Sequence, residues 1–232
     1  MDKKTLISIT GTTCVGKSTL LKAIQNACDN VFIIPQITTR QARSDDDPKL
    51  IKYTRTFDKD KMFLHNKELS YGIEQDAINN FLQSDKPCAV SINGTDEIEM
   101  LKSKSQDLLC KNVLLTFAEN YDSEIEMLSG QMKRMFDWEN YQKRMAFYSQ
   151  HIKDKLLNTD FISENIDLHL TRMMPLASWS LEMSRILRIE PHKLCEALCK
   201  EIKIQPKVKR YACTRMGTRI NQIFSFSKCN KR

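Results

Sequence analysis

The sequence predicts an α/β fold in which a mostly parallel sheet is covered by helices on both faces. Short apolar runs that are rich in β-branched residues alternate along the chain with segments of helical periodicity. A loop with two glycines joins the first apolar run to the first helical segment, as in sheets that bind ligands at the carboxyl ends of their strands. A further helical pattern near the end of the chain predicts a helical extension of this fold.

The strands are predicted at four apolar runs, residues 5–10, 31–34, 88–92 and 112–117. The first helix begins after the glycine loop, where Leu20, Leu21 and Ile24 recur at helical spacing. The pattern stays helical nearly throughout residues 123–157, and residues 161–163 are predicted to form a last short strand. Two amphipathic helices are predicted after Pro175, one over residues 179–187 and one that Pro191 opens.

The length of 232 residues suits one domain with a substantial core and an appendage. We expect a main domain at residues 1–175, a helical extension at 176–205 and a basic tail at 206–232. The tail contains eight lysines and arginines and no acid, so it accounts for the net charge of +7, and the preceding residues sum to −1. Contact of the tail with nucleic acid, a solvated tail, and a short edge strand through Phe224 and Phe226 remain alternatives.

Composition excludes several classes of protein. The hydrophobic content of 41% and charged content of 28% are typical of a globular protein. Apolar runs stay well below the roughly 18 residues of a membrane span, and the polar start is unlike a signal peptide. Because the eight cysteines are scattered, we expect reduced thiols and a cytoplasmic location. His192, Cys195 and Cys199 share one helical face, for which a metal site and ordinary core packing are the alternatives.

The loop itself, residues 11–18, matches the phosphate-binding motif G-x-x-x-x-G-K-[ST] at every specified position. In this motif glycines let the backbone curl so that amide groups and a helix N-terminus face a phosphate. We expect Lys17 to act in catalysis at the β- and γ-phosphates of ATP, and Ser18 to bind Mg²⁺. The residues expected at the ATP phosphates are Gly11, Thr12, Thr13, Cys14, Val15, Gly16, Lys17, Ser18 and Thr19. An ordinary glycine turn is the alternative.

A second phosphate site is predicted directly after the second strand. Arg40 and Arg43 are three residues apart, close enough for two guanidinium groups to bind one phosphate. Tyr53 and the Tyr71-Gly72 pair follow, and both phenols are possible donors. Arg40, Arg43, Tyr53, Tyr71 and Gly72 are therefore predicted to bind a phosphorylated acceptor, and a solvated basic loop is the alternative.

With these motifs, residues 5–170 resemble the guanylate kinase family, which carries a P-loop followed by T-T-R-x-x-R and later a Tyr-Gly pair. The resemblance implies the three-layer fold of P-loop kinases and Mg·ATP-dependent phosphorylation of GMP or dGMP. It implies that two arginines and two tyrosines bind the acceptor phosphate, with an acid nearby, here Asp46. It further implies an arginine-bearing lid over the transferred phosphoryl group, with Lys133 as a candidate and Arg134 and Arg144 as its expected catalytic residues.

The base-reading positions depart from that family. Gln36 and Ile73 stand where the family has a serine and a hydroxyl residue, and the third strand ends in Asn93-Gly94-Thr95. The chain resembles ribose 1,5-bisphosphate phosphokinases in the aliphatic residue at position 73 and in the sequence Asn93-Gly94-Thr95. A sugar phosphate kinase, a non-catalytic guanylate-kinase-like binding module and a kinase of nucleic-acid ends or modified bases therefore stay open as alternatives.

Overall fold

The computed structural model describes residues 3–42, 46–66, 71–104 and 107–203. Helices and strands alternate along most of this length. The strands are β1 (Lys4–Gly11), β2 (Val31–Ile33), β3 (Gln36–Thr38), β4 (Ile51–Tyr53), β5 (Met62–Asn66), β6 (Tyr71–Glu74), β7 (Cys88–Ile92), β8 (Leu108–Thr116) and β9 (Leu168–Thr171). The helices are α1 (Lys17–Ala27), α2 (Gln75–Gln83), α3 (Thr95–Lys104), α4 (Tyr121–Met135), α5 (Trp138–His151), α6 (Thr159–Asn165), α7 (Leu176–Leu187) and α8 (Pro191–Glu201).

The central sheet has five parallel strands in the order β2-β7-β1-β8-β9. Alternate residues of β1 point to opposite faces, so Ile7 and Ile9 enter the larger core, whereas Leu6 enters a second core. Both faces are therefore covered, and the α/β prediction is confirmed. Because β1 lies between β7 and β8, the carboxyl ends of these three strands meet at one edge of the sheet.

A second sheet, which the sequence did not predict, has the order β4-β3-β6-β5. β3 pairs parallel with β4 and antiparallel with β6, which pairs antiparallel with β5. Its strands have three to five residues each. Strands this short are too brief to show a clear alternation of apolar and polar residues.

One predicted strand is wrong. Residues 161–163 lie inside helix α6, and the last strand of the sheet is β9. The side chain of Asn158 accepts a hydrogen bond from the amide of Phe161 and so begins a helix. The predicted helical stretch 123–157 is divided at residues 136–137, where Asp137 caps α5.

The two C-terminal helices, α7 and α8, are part of the main core. Trp179, Met183 and Leu187 of α7 are buried there with Leu194 and Leu198 of α8. Cys195 and Cys199 are also buried, whereas His192 is exposed. Across the described residues, no three histidine, cysteine or acidic side chains come together as a metal site.

Two further predictions concern other parts of the chain. The predicted basic tail and its edge strand lie outside the described residues. Within the described ranges, every helix is too short or too polar to cross a lipid bilayer.

Candidate functional site

The P-loop lies between β1 and α1, at the carboxyl edge of the central sheet. Gly11 has a φ of 138°, and a Cβ atom there would overlap the carbonyl oxygen of Leu115 in β8. Gly16 has a φ of 115° and caps α1. Its carbonyl oxygen accepts a hydrogen bond from the amide of Leu20 at 2.9 Å. Both glycines are required because side chains rarely adopt such φ values.

Lys17 turns back onto the loop that precedes it. Its ammonium group donates to the carbonyl oxygens of Gly11 and Thr12, each at 2.8 Å. Loss of surrounding water lowers the pKa of Lys17 to about 8, and the nearby Cys14 opposes this shift. The chain thus holds a cation at the mouth of a loop whose backbone is shaped for an anion.

The other predicted P-loop residues differ in exposure. Val15 is buried in the main core and also lines the cavity beside the loop, whereas Ser18 is exposed in the first turn of α1. Cys14 has a φ of 62°, which is unusual for a residue other than glycine. Thr13 and Thr19 are half-buried.

A buried carboxylate that the sequence did not indicate fixes the start of the loop. Glu124 of α4 is fully buried, and it accepts hydrogen bonds from the Thr12 hydroxyl and, at 2.7 Å, from the amide of Ala118. Burial raises the pKa of Glu124, and these hydrogen bonds oppose the shift. No sequence motif marks this residue, because its partner lies 112 positions away.

A cavity of about 390 Å³ adjoins the loop. Thr19 and Leu20 of α1 line one side, and Arg172, Trp179 and Ile202 line the other. The indole of Trp179 donates to the carbonyl oxygen of Thr171 at 2.7 Å, which ties α7 to the end of β9. The helices after Pro175 therefore form one wall of the site.

The predicted acceptor residues Arg40 and Tyr53 come together around Asp46. Arg40 binds both carboxylate oxygens of Asp46, at 2.8 and 2.6 Å, and the Tyr53 hydroxyl donates to the same carboxylate. The hydrogen bond to Asp46 raises the pKa of Arg40. The buried Nε of Arg40 has no hydrogen-bond partner among the described residues.

Tyr71 and Gly72 belong to β6, which pairs with β3 just before Arg40. Tyr71 is half-buried and close enough to Arg40 to affect its pKa. Gly72 is buried in the second sheet between β3 and β5. Arg43 lies outside the described residues.

The two predicted lid arginines lie in different surroundings. Arg134 is exposed near the end of α4. Burial lowers the pKa of Arg172 beside the cavity, and the charge of Arg134 lowers it further. Arg144 of α5 lies 4.3 Å from the centre of the Phe136 ring. Lys133 lies over the ring of Tyr141 at 5.6 Å.

Two side chains of α5 reach the site without having been predicted. Tyr148 is half-buried, and its phenol interacts with Thr13 of the P-loop, with Arg144, Cys14 and Tyr71 in electrostatic range. Nε2 of His151 lies 3.3 Å from the Thr95 hydroxyl, which follows β7. On sequence alone both fall within a long helical pattern that gives no indication of what the helix faces.

At the two positions where guanylate kinases read the base, Gln36 and Ile73 make contacts within the protein. Ile73 is fully buried in the second core. The side-chain amide of Gln36 donates to the carbonyl oxygen of Ile92 at 3.2 Å. Asn93, after β7, donates to the hydroxyls of Ser8 and Ser91, each at 2.7 Å.

Solved structures resemble this architecture. A guanylate kinase from Anaplasma phagocytophilum aligns with a TM-score of 0.51 and 14% identity, over 88% of this chain and 97% of that chain. A fungal RNA kinase aligns with a TM-score of 0.49 and 12% identity, over 88% and 100%. Mouse sulfotransferase SULT7A1 complexed with PAP aligns with a TM-score of 0.43 and 9% identity, over 87% and 68%.

The fold and the loop define the class: an α/β P-loop protein with the architecture of nucleotide kinases. At 14% identity the likeness concerns the fold alone. No protein-family model and no curated protein matches the sequence.

Proposed function

We propose that this chain transfers the γ-phosphoryl group of Mg·ATP to a small molecule that already carries a phosphate. The position of Tyr71 is the observation that carries the proposal. Tyr71 lies in electrostatic range of Arg40 on one side and of Tyr148 on the other, and Tyr148 is in turn near enough to Thr13 of the P-loop to interact with it. This proximity supports a single site with the Arg40 cluster on one side and the P-loop on the other.

The donor side has the features that a nucleoside triphosphate requires. The loop amides and Lys17 would bind the β- and γ-phosphates, and the adjoining cavity of about 390 Å³ has room for a nucleoside. The exposed hydroxyl of Ser18 fits Mg²⁺, which prefers hard oxygen ligands and keeps several waters. When bound, the ion would neutralise charge on the phosphates.

The acceptor side is suited to an anion. The positive charge of Arg40 would attract an acceptor phosphate, Tyr71 could donate to its oxygens, and Tyr53 could do so in place of its hydrogen bond to Asp46. A phosphate oxygen is already nucleophilic, so transfer needs positioning and charge neutralisation rather than a general base. Arg144, in electrostatic range of Tyr148, and Arg134, in electrostatic range of Arg172 in the cavity wall, would supply positive charge around the transferred group.

The match of Arg40, Asp46, Tyr53 and Tyr71 to the guanylate kinase pattern favours GMP or dGMP as acceptor. A sugar phosphate is the second candidate. Two observations favour it: the aliphatic Ile73 is fully buried, and Gln36 donates to the Ile92 carbonyl. A site without hydrogen-bonding groups at these positions would lose most of its selectivity for a base.

The test is ATP turnover with Mg²⁺ and GMP, dGMP or ribose 1,5-bisphosphate as acceptor. The wild-type chain should phosphorylate at least one of them. Lys17→Ala should lower kcat about 100-fold or more while the thermal unfolding curve keeps its shape. Absence of turnover with all three acceptors would favour a non-catalytic binding module, and near-normal activity of Lys17→Ala would overturn the assignment of the P-loop.

Arg40→Ala tests the acceptor side separately. We expect a higher KM for the acceptor, a lower kcat, or both, with the KM for ATP unchanged, because Arg40 lies away from the loop cavity. Arg185→Ala is the control, since Arg185 is an exposed arginine of α7 that binds Glu182. If Arg40→Ala changes only the KM for ATP, the acceptor assignment is wrong.

A further inference from the structure

Three polar side chains recur on one face of α5, and two of them lie at the carboxyl edge of the central sheet. Arg144, Tyr148 and His151 are spaced four and three residues apart, which places them on a common helical face. Tyr148 lies near enough to Thr13, which follows β1, for Thr13 to affect the pKa of the phenol, and Nε2 of His151 lies 3.3 Å from the hydroxyl of Thr95, which follows β7. Since β1 and β7 are neighbours, this face of α5 passes over the carboxyl ends of both strands, and Tyr148 is in electrostatic range of Tyr71 in the second sheet.

Aromatic contacts hold the two polar groups in place. The ring of His151 stacks on Phe147, with centroids 5.6 Å apart and an interplanar angle of 14°. Phe147 also meets Tyr148 edge to face at 5.2 Å. Such packing restricts the rotamers of Tyr148 and His151, so that their polar atoms are oriented before a ligand arrives.

The backbone after His151 departs from a regular α-helix. Residues Ile152–Leu156 form a π-helical segment, and the amide of Leu157 donates to the carbonyl oxygen of Ile152 at 2.9 Å. Ile152 and Leu156 are buried in the main core. π-helical segments are rare and are frequently found at functional sites. The core therefore fixes the helix immediately after His151.

Beside the cation Arg144, the other two side chains of this face, Tyr148 and His151, are neutral hydrogen-bonding groups. Burial lowers the pKa of His151 and raises the pKa of Tyr148, so both side chains are uncharged near neutral pH. The charged groups that influence His151 are Asp96, Asp154 and Lys155, and Lys155 already binds Asp96 and Glu99. Neutral donors and acceptors suit sugar hydroxyls better than a second phosphate.

We propose that Tyr148 and His151 are acceptor-specificity residues, which hydrogen-bond the hydroxyl-bearing sugar of the acceptor while the Arg40 cluster binds its phosphate. The proposal rests on the proposed function. It also explains how a site whose Ile73 and Gln36 are used internally can recognise more than a phosphate.

The test compares Tyr148→Phe and His151→Leu with the wild type, using GMP and ribose 1,5-bisphosphate as probes. Each variant removes about one hydrogen bond, so we expect a five- to tenfold higher KM and weaker calorimetric binding for the preferred probe. The KM for ATP should stay unchanged. His151→Gln, which keeps an N–H donor, should restore part of the loss.

The control is Tyr141→Phe, a matched change on the same helix, where the lost hydroxyl hydrogen-bonds Ser129 at 2.8 Å. It should leave both KM values unchanged. Normal acceptor kinetics in Tyr148→Phe and His151→Leu would overturn this proposal and leave the proposed function standing. If the wild type binds an acceptor without turnover and the variants weaken that binding, the proposed kinase function is overturned but the role of Tyr148 and His151 stands. If the wild type shows neither binding nor turnover, both proposals are overturned.

Discussion

At the scale of single residues, the cations of the site are held by oxygen atoms of the chain itself. Lys17 binds two loop carbonyls, and Arg40 binds the carboxylate of Asp46. These contacts keep the ammonium and the guanidinium oriented without a phosphate present. A bound phosphate would add a full negative charge, which is a stronger partner for Lys17 than two neutral carbonyls.

Because a phosphate is a stronger partner for the Lys17 ammonium than the loop carbonyls are, we expect Lys17 to take up a proton when ATP binds. Without a ligand, the pKa of Lys17 in the folded protein is about 8, so the side chain is about half protonated at pH 8. Phosphates bound beside it would raise this pKa. Calorimetric titration with Mg·ATP at pH 8, in buffers of different ionisation enthalpy, should show uptake of roughly half a proton. Uptake should disappear in Lys17→Met and be negligible at pH 6. Equal uptake in that variant would contradict the prediction.

At the scale of secondary structure elements, the start of α3 depends on an acid inside the core. Glu97 is 1% exposed and accepts a hydrogen bond from the amide of Gly94, which is half of a capping box. Burial raises the pKa of Glu97 to about 7. Thr95, which lies 3.3 Å from His151, is the first residue of the same helix.

Glu97 should make the protein less stable as the pH rises. Between about pH 4.5 and pH 7 the unfolded chain loses the Glu97 proton while the folded chain keeps it, which favours unfolding. Glu97→Gln should therefore match the wild type at pH 4.5 and exceed its free energy of unfolding by up to about 3 kcal/mol at pH 8. Urea denaturation across this range measures the difference. Glu99→Gln, an exposed change on α3, should show little pH dependence, and a pH-independent effect of Glu97→Gln would contradict the prediction.

At the scale of the whole molecule, the last described residues pack into the core and also line the cavity beside the P-loop. α8 packs on α1, the helix that follows the P-loop, and Ile202 beyond it lines the cavity. Leu194 is fully buried in the main core. The stability of the P-loop region thus depends on residues about 180 positions later in the sequence.

Leu194→Ala should consequently lower the free energy of unfolding by about 2–5 kcal/mol, through lost burial and a cavity next to α1. Leu82→Ala is a matched control, because Leu82 is a helical leucine with 37% of its surface exposed. It should cost about 1 kcal/mol or less. Guanidinium denaturation monitored by circular dichroism compares them, and equal losses would show that α8 contributes little to the core.

The sequence by itself determined the parts of this protein that depend on local pattern. Strands β1 and β7, the glycine loop and the helices α1, α7 and α8 each have a period or a motif that short-range physics explains. Arg40, Tyr53 and Tyr71 could be selected as candidates because each lies in or near a short motif.

Only the tertiary structure decided which residues meet. The contacts of Glu124 with Thr12, of Tyr148 with Thr13 and of His151 with Thr95 join positions far apart in sequence. Sheet order and helix packing create these contacts, and no local pattern encodes them. The second sheet was missed for the same reason, since its short strands are stabilised by their pairing with one another rather than by a periodicity of their own.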